Sequence, residues 1–177
     1  FNSHVSNDVD TKIFGDALCT EMTHMASLMP SRPPVSSLFF GGGTPSLMPP
    51  ILVERLIRHA EDLFGFTNDI EITAEANPTS VEAEAMLGFR KAGVNRVSMG
   101  VQSLDDAGLK FLGREHSAID ALKALDKVSK AFDRVSIDLI YALPDQSPKA
   151  WQAMLGQALS LGLGHLSLYQ LTIETGT

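Results

Sequence analysis

Stretches with the three- and four-residue apolar spacing of a helix alternate along this chain with short apolar runs of strand length, and a helical stretch separates each strand from the next. Crossovers of that length exclude hairpins, so the strands must lie mainly parallel in one sheet. Helical patterns run over about 9–28, from Pro49 and Pro50 to Gly65, from Thr79 or Ser80 to Gly93, and over 105–113, 118–132 and 149–161. Strand patterns cover 37–40, 70–76, 94–101, 135–143 and 165–171. An open doubly wound sheet and a full or partial β/α barrel both satisfy this order. The polar residues that interrupt the apolar pattern gather near the C-terminal ends of successive strands, where a barrel binds its substrate. No dinucleotide-type glycine spacing and no Gly-Lys-Ser/Thr phosphate loop occurs. The expected fold is therefore α/β, a partial β/α barrel with parallel strands, as a single domain over 1–177.

Charge and composition narrow the function. A formal net charge of −7 without a basic stripe excludes a nucleic-acid surface. No apolar run reaches the roughly 20 residues that span a bilayer, nothing at the start resembles a signal peptide, and membrane contact is not expected. A cytoplasmic location follows as the expectation. Cys19, the one cysteine, has no disulfide partner in the chain and reads as a small buried residue on the first helix. The five histidines show no paired metal spacing, and no Gly-x-Ser-x-Gly nucleophile pattern supports hydrolysis. The chain opens on Phe1 and ends at Thr177 after a strand-like run, so it reads as an excerpt of a larger protein.

The chemistry-bearing residues begin with Phe39-Phe40-Gly41-Gly42-Gly43-Thr44-Pro45-Ser46, where three glycines follow a strand. Glycine there exposes peptide groups to a ligand and adopts dihedrals closed to other residues. Thr44 adds a hydroxyl. Glu75 with Asn77, Gln102 with Ser103, Asp138 with Tyr141, and Gln170 with Thr172 continue the ring at later strand ends. Such a set suits an amino acid joined to a ribose. Each member also has a plainer reading: Glu75 as a solvated strand-end charge, Asp138 as a structurally paired carboxylate, Arg114 as half of a surface ion pair with Glu115.

Six segments, taken in order, closely resemble the radical S-adenosylmethionine proteins of the oxygen-independent coproporphyrinogen III oxidase family. They are Gly41-Gly42-Gly43-Thr44-Pro45-Ser46, Glu75-Ala76-Asn77-Pro78, the stretch from Asn95 to Ser103, Leu112-Gly113-Arg114, the stretch from Ile137 to Pro144, and Ser167 to Glu174. The resemblance implies a radical S-adenosylmethionine core that holds a 4Fe-4S cluster, with S-adenosylmethionine chelating its open iron and cleaved to a 5′-deoxyadenosyl radical. By position, Gly42, Gly43 and Thr44 would meet the methionine moiety or a second S-adenosylmethionine. Glu75 would contact the cofactor's polar groups, Gln102, Arg114 and Asp138 would continue the site, and Thr172 would stand at its far rim.

The family's Cys-x-x-x-Cys-x-x-Cys cluster motif is absent here and is expected upstream of Phe1, together with the first strand. Cys19 does not substitute for it, so this stretch alone is expected to hold no cluster and to bind S-adenosylmethionine weakly. Phe1-Asn2 resembles the end of Cys-Asp-Phe-Asn rather than the Gly-Cys-Asn of the oxidases proper. With Leu168-Tyr169-Gln170-Leu171-Thr172-Ile173-Glu174 it points to the oxidase-like branch regarded as heme-binding chaperones. Implied partners are heme or a porphyrinogen, a heme-accepting protein and an electron-donor protein. Oxidative decarboxylation of coproporphyrinogen III is the enzymatic alternative, and an unrelated phosphate-binding barrel built on the glycine loop is a third.

Overall fold

The structure, a computed structural model, describes residues 10–172. Asp10 starts the first helix, α1 (Thr11–Leu28), by accepting the backbone N–H groups of Lys12 and Ile13 at 2.9 and 3.0 Å. The expected start near Val9 lies outside the described residues. Then follow β1 (Val35–Phe40), α2 (Pro50–Phe64), β2 (Phe66–Ala76), α3 (Ser80–Ala92), β3 (Arg96–Gln102), α4 (Asp106–Phe111), α5 (Ala118–Ser129), β4 (Arg134–Tyr141), α6 (Pro148–Ser160) and β5 (His165–Gln170). Local chemistry sets the helix ends. Thr79, Asp105, Ser117 and Ser147 cap α3 to α6 through side-chain oxygens, and Pro50 and Pro148 begin their helices at the first position.

All strand pairs are parallel, and the order β1-β2-β3-β4-β5 follows the sequence without a reversal. Right-handed crossovers that always advance in one direction put their helices on one face. A doubly wound sheet needs a reversal, so the strand order selects the other architecture, a curled half-barrel. The core records this. Ile72, Ala74 and Ala76 of β2, Val97, Met99 and Val101 of β3, and Val135, Ile137 and Leu139 of β4 are buried together with Val53 and Ile57 of α2, Met86 and Phe89 of α3, Leu125 and Val128 of α5, and Ala158 of α6. Successive strand residues alternate sides. The intervening ones, Thr73, Glu75, Ser98, Ser136 and Asp138, therefore face the concave side. Helix α1 packs on α2, where Cys19, Leu52 and Leu56 form a second buried cluster, and Cys19 is buried as expected.

Some strand limits differ from the sequence pattern. β2 starts at Phe66 rather than near 70, because Val35 pairs with Phe66 and donates to Gly65 O at 2.9 Å, extending the ladder past a register shift in β1. β3 starts at Arg96 rather than Val94. The Asn95 side chain stands in for a ladder there, accepting from Ile72 N at 2.9 Å and donating to Ile70 O at 2.8 Å. Helix α5 stops at Ser129, and a turn on the Val128 carbonyl tucks Phe132 into the core.

Phe89 is 0% exposed and joins α3 to the sheet. Replacing it with alanine is expected to lower the unfolding free energy by about 3–5 kcal/mol. Phe111→Ala, at a residue 56% exposed, is expected to cost no more than about 0.5 kcal/mol. Denaturant unfolding of both variants against the parent protein checks the contrast.

Candidate functional site

The glycine loop after β1 is shaped by dihedrals more than by space. Gly42 and Gly43 have φ of +80° and +59°, the left-handed region where a Cβ costs roughly 1–2 kcal/mol, and the positions their Cβ atoms would take are open. Gly41 differs. A Cβ there would meet the Phe39 ring at 2.6 Å but Glu75 Cδ only at an ordinary 3.4 Å, so its bareness makes room for the Phe39 ring. The Gly42 N–H then donates to Glu75 Oε2 at 3.2 Å.

A second carboxylate ties this loop to the one after β2. Glu82, in the first turn of α3, accepts from Ser46 Oγ at 2.5 Å, from the Asn77 backbone N–H at 2.6 Å and from Asn77 Nδ2 at 3.0 Å. Sequence reasoning missed Glu82. The available signal was its place three residues after the cap Thr79, the acidic position of a capping box.

At the end of β3 the ladder shifts register between Met99 and Gln102, and Gln102 has φ of +68°. A non-glycine residue held there stores about 1–3 kcal/mol of strain, as residues aimed at a ligand often do. Gly100 leaves room for the Gln102 side chain, since a Cβ on it would lie 2.8 Å from Gln102 Nε2. Ser103 is fully buried, accepts from Asp105 N at 3.1 Å and serves the fold. Arg114 follows α4 and Gly113, whose φ is +65°. Among the described residues it makes no ion pair, with Glu115 or any other.

Asp138 lies on β4, level with Ser167 of β5. Partial burial pushes its carboxyl above the usual carboxylate range; hydrogen bonds from Ser98 and Ser167 and the charges of Arg96 and His165 oppose that rise. Ser98 Oγ donates to Asp138 Oδ1 at 3.0 Å.

Gly43, Thr44, Glu75, Gln102, Arg114 and Asp138 surround one cleft of about 350 Å³, so six of the eight residues expected from the sequence converge. Glu75, Ser98, Asp138 and Tyr169 also line an adjoining cavity of about 500 Å³ that reaches Arg96, Arg134 and His165 deeper on the concave face. Gly42 touches the site through its amide, and lines a separate apolar pocket with Phe14, Met22 and Met48. Thr172 is exposed beyond β5, its hydroxyl 3.4 Å from Gln170 O, and does not line the cleft. Tyr141 stacks on Trp151 with ring centroids 5.3 Å apart. Three carboxylates (Glu75, Glu82 and Asp138), a guanidinium, two amides and several hydroxyls around one cleft can hold a small zwitterion and hydroxyl groups without a hydrolytic nucleophile. Among the described residues no group of three or more His, Cys, Asp or Glu could hold a metal ion, and no helix is long and apolar enough to cross a membrane.

Glu82→Gln replaces an acceptor of three hydrogen bonds with a group that must present a donor. A loss of about 1–3 kcal/mol in unfolding free energy and faster hydrogen exchange at the Asn77 amide are expected. An unchanged exchange rate would show that the two loops do not depend on Glu82.

Comparison with known proteins reaches the same place from another direction. The family model for the Radical SAM superfamily matches residues 20–158. Radical S-adenosyl methionine domain-containing protein 1, mitochondrial, of Mus musculus is 43% identical over 178 residues, which cover 100% of this chain and 40% of that protein. Heme chaperone HemW of Escherichia coli (strain K12) is 38% identical over 179 residues, covering 100% of this chain and 47% of the relative. The solved structure of coproporphyrinogen III oxidase (HemN) from Escherichia coli, a radical SAM enzyme, superposes with a TM-score of 0.78 at 31% identity, over 95% of this chain and 39% of that one. The chain thus spans less than half the length of these relatives. A one-directional parallel half-barrel with a polar cleft at its strand ends is what such a match requires, and the chain belongs to the radical SAM superfamily.

Proposed function

We propose that this domain binds S-adenosylmethionine in the cleft between Glu75 and Asp138, as part of a protein that binds heme and delivers it to a target protein. The likeness to proteins named heme chaperone HemW, 38% identical across the whole chain in the Escherichia coli case, carries the reading. Superfamily membership implies S-adenosylmethionine and a 4Fe-4S cluster. The cluster's cysteine ligands belong to residues preceding Phe1 in this reading, and an electron-donor protein would reduce it. When bound to the reduced cluster, the cofactor supplies a 5′-deoxyadenosyl radical.

The donor set fits the cofactor. S-adenosylmethionine presents an ammonium, a carboxylate and ribose hydroxyls, and a cleft of about 350 Å³ lies within the roughly 300–1,000 Å³ of small-molecule sites. Glu75 holds the Gly42 amide with Oε2, and Oε1 has no protein donor among the described residues, so this second oxygen accepts from the ligand. Arg114, without an ion pair among the described residues, matches a carboxylate. Thr44 and Gln102 both donate and accept. Asp138 accepts a hydroxyl. A cytoplasmic location accompanies the chaperone reading, with the mitochondrion as the competing compartment because other relatives are named mitochondrial.

The structural likeness to HemN supports one rival, oxidative decarboxylation of coproporphyrinogen III. The full-length protein, its cluster reconstituted and reduced without oxygen, is expected to bind heme stably and to form no protoporphyrinogen from coproporphyrinogen III. Protoporphyrinogen formation would overturn the chaperone reading. Glu75→Gln is expected to weaken S-adenosylmethionine binding at least about tenfold by calorimetry, the loss of a hydrogen bond to a charged acceptor.

A further inference from the structure

Asp138 ends a line of hydrogen bonds that crosses the concave face. Arg96 Nη2 donates to Ser136 Oγ at 3.0 Å, the Ser136 and Ser98 oxygens are 3.0 Å apart, and Ser98 Oγ donates to Asp138 Oδ1 at 3.0 Å. A hydroxyl has one proton to give, and a guanidinium accepts none. Ser98 uses its proton on Asp138, so Ser136 must donate to Ser98 and Arg96 to Ser136. Every bond in the line points the same way, from cation to carboxylate, and each polarises the next. Ser136 and Ser98 are 0% and 6% exposed, which keeps water from breaking the order. Thr73 and Glu71 hold the far end, lying 3.2 and 3.5 Å from Arg96 Nη1.

We infer that Ser98, backed by Ser136 and Arg96, is a positioning residue that keeps Asp138 an ionised, correctly turned acceptor for the cofactor. The inference rests on the S-adenosylmethionine site proposed above. Without Ser98, Asp138 would lose the largest of the groups that oppose its partial burial and would keep Ser167 and the charges of Arg96 and His165. Burial already favours the protonated form, and losing the Ser98 donor would favour it more. Binding that needs the carboxylate strengthens as pH rises through Asp138's titration and then levels off. Removal of Ser98 must move that rise to higher pH.

The other charges around Asp138 are accounted for. Glu75 of β2, Glu82 of α3 and Arg114 after α4 share its cleft, and Tyr169 of β5 lines it as well. In the deeper cavity stand Glu71, Arg96, Arg134, Asp133 and His165. His165 is the one histidine among them, so a His165→Gln background separates its charge from the relay.

The test uses full-length protein with its cluster reconstituted. Asp138's carboxyl is titrated by infrared spectroscopy, its band assigned with Asp138→Asn, and S-adenosylmethionine binding is measured from about pH 5 to pH 9. Ser98→Ala is expected to raise the Asp138 titration and to weaken binding about tenfold at the acid end but less than about twofold at the alkaline end. Ser136→Ala should shift both in the same direction by less. Ser98→Thr, which restores the hydroxyl, should return both to wild type, and the shifts should persist in the His165→Gln background. An unshifted Asp138 titration in Ser98→Ala, or an affinity loss equal at every pH, overturns the inference. The infrared titration is read without cofactor, so it judges the relay separately, while a wild-type protein that takes up no S-adenosylmethionine overturns the cofactor site itself.

Discussion

Everything at the site depends on one packing constraint, the burial of every second strand residue under a single layer of helices. Because the strand order never reverses, α2, α3, α5 and α6 all supply apolar side chains to the same face of the sheet. Ile72, Val97 and Ile137 are then committed outward, at about 1.5–3 kcal/mol for each fully buried aliphatic side chain. The strand period does the rest. Thr73, Arg96, Ser98, Ser136 and Asp138 are turned inward together, and a slip of one residue in any strand would exchange the two sets. The core therefore aims the polar cleft, and Ala76 of that core lines it directly.

Positioning at finer scale comes from carboxylates that bind protein before they bind ligand. Glu75 holds the glycine loop through the Gly42 amide, and Glu82 holds both that loop, through Ser46, and the next one, through Asn77. These two loops follow adjacent strands, so neither can drift without breaking charge-assisted hydrogen bonds. The glycines serve this design unequally. Gly42 and Gly43 supply left-handed backbone, whereas Gly41 supplies room for the Phe39 ring.

Much of this was legible in the sequence. Helix-length crossovers dictated a parallel sheet, and polar residues interrupting strand ends marked Glu75, Gln102 and Asp138, since a charge amid Ile137, Leu139 and Ile140 needs a reason to be there. Other residues were invisible because their signal is relational. Ser98, Ser136 and Arg96 look like ordinary polar alternation until register sets Ser98 beside Ser136 and both beside the line to Asp138. The strained φ of Gln102 left only Gly100 as a trace. Asn95 misled the strand limit because its side chain imitates a backbone ladder. Thr172 belonged to a convincing sequence series, yet the cleft is lined without it.

Of the carboxylates in the cleft, Glu75 and Asp138 are held by different kinds of donor. At Asp138 it is partial burial that favours the neutral acid, and hydroxyl donors and cations that oppose it. Glu75 receives a backbone amide from a loop held at both ends, a donor that cannot rotate away. Asp138 is served by side chains instead, from Ser98 and Ser167 on the neighbouring strands and, through two hydroxyls, from Arg96. A cation held at the far end of a hydroxyl line favours the carboxylate without occupying the cleft. Had Arg96 contacted Asp138 directly, the guanidinium would have taken up part of the carboxylate's acceptor capacity. By setting the guanidinium one strand position below Ser98 and spanning the gap with two serines, the sheet stabilises the charge while leaving it available.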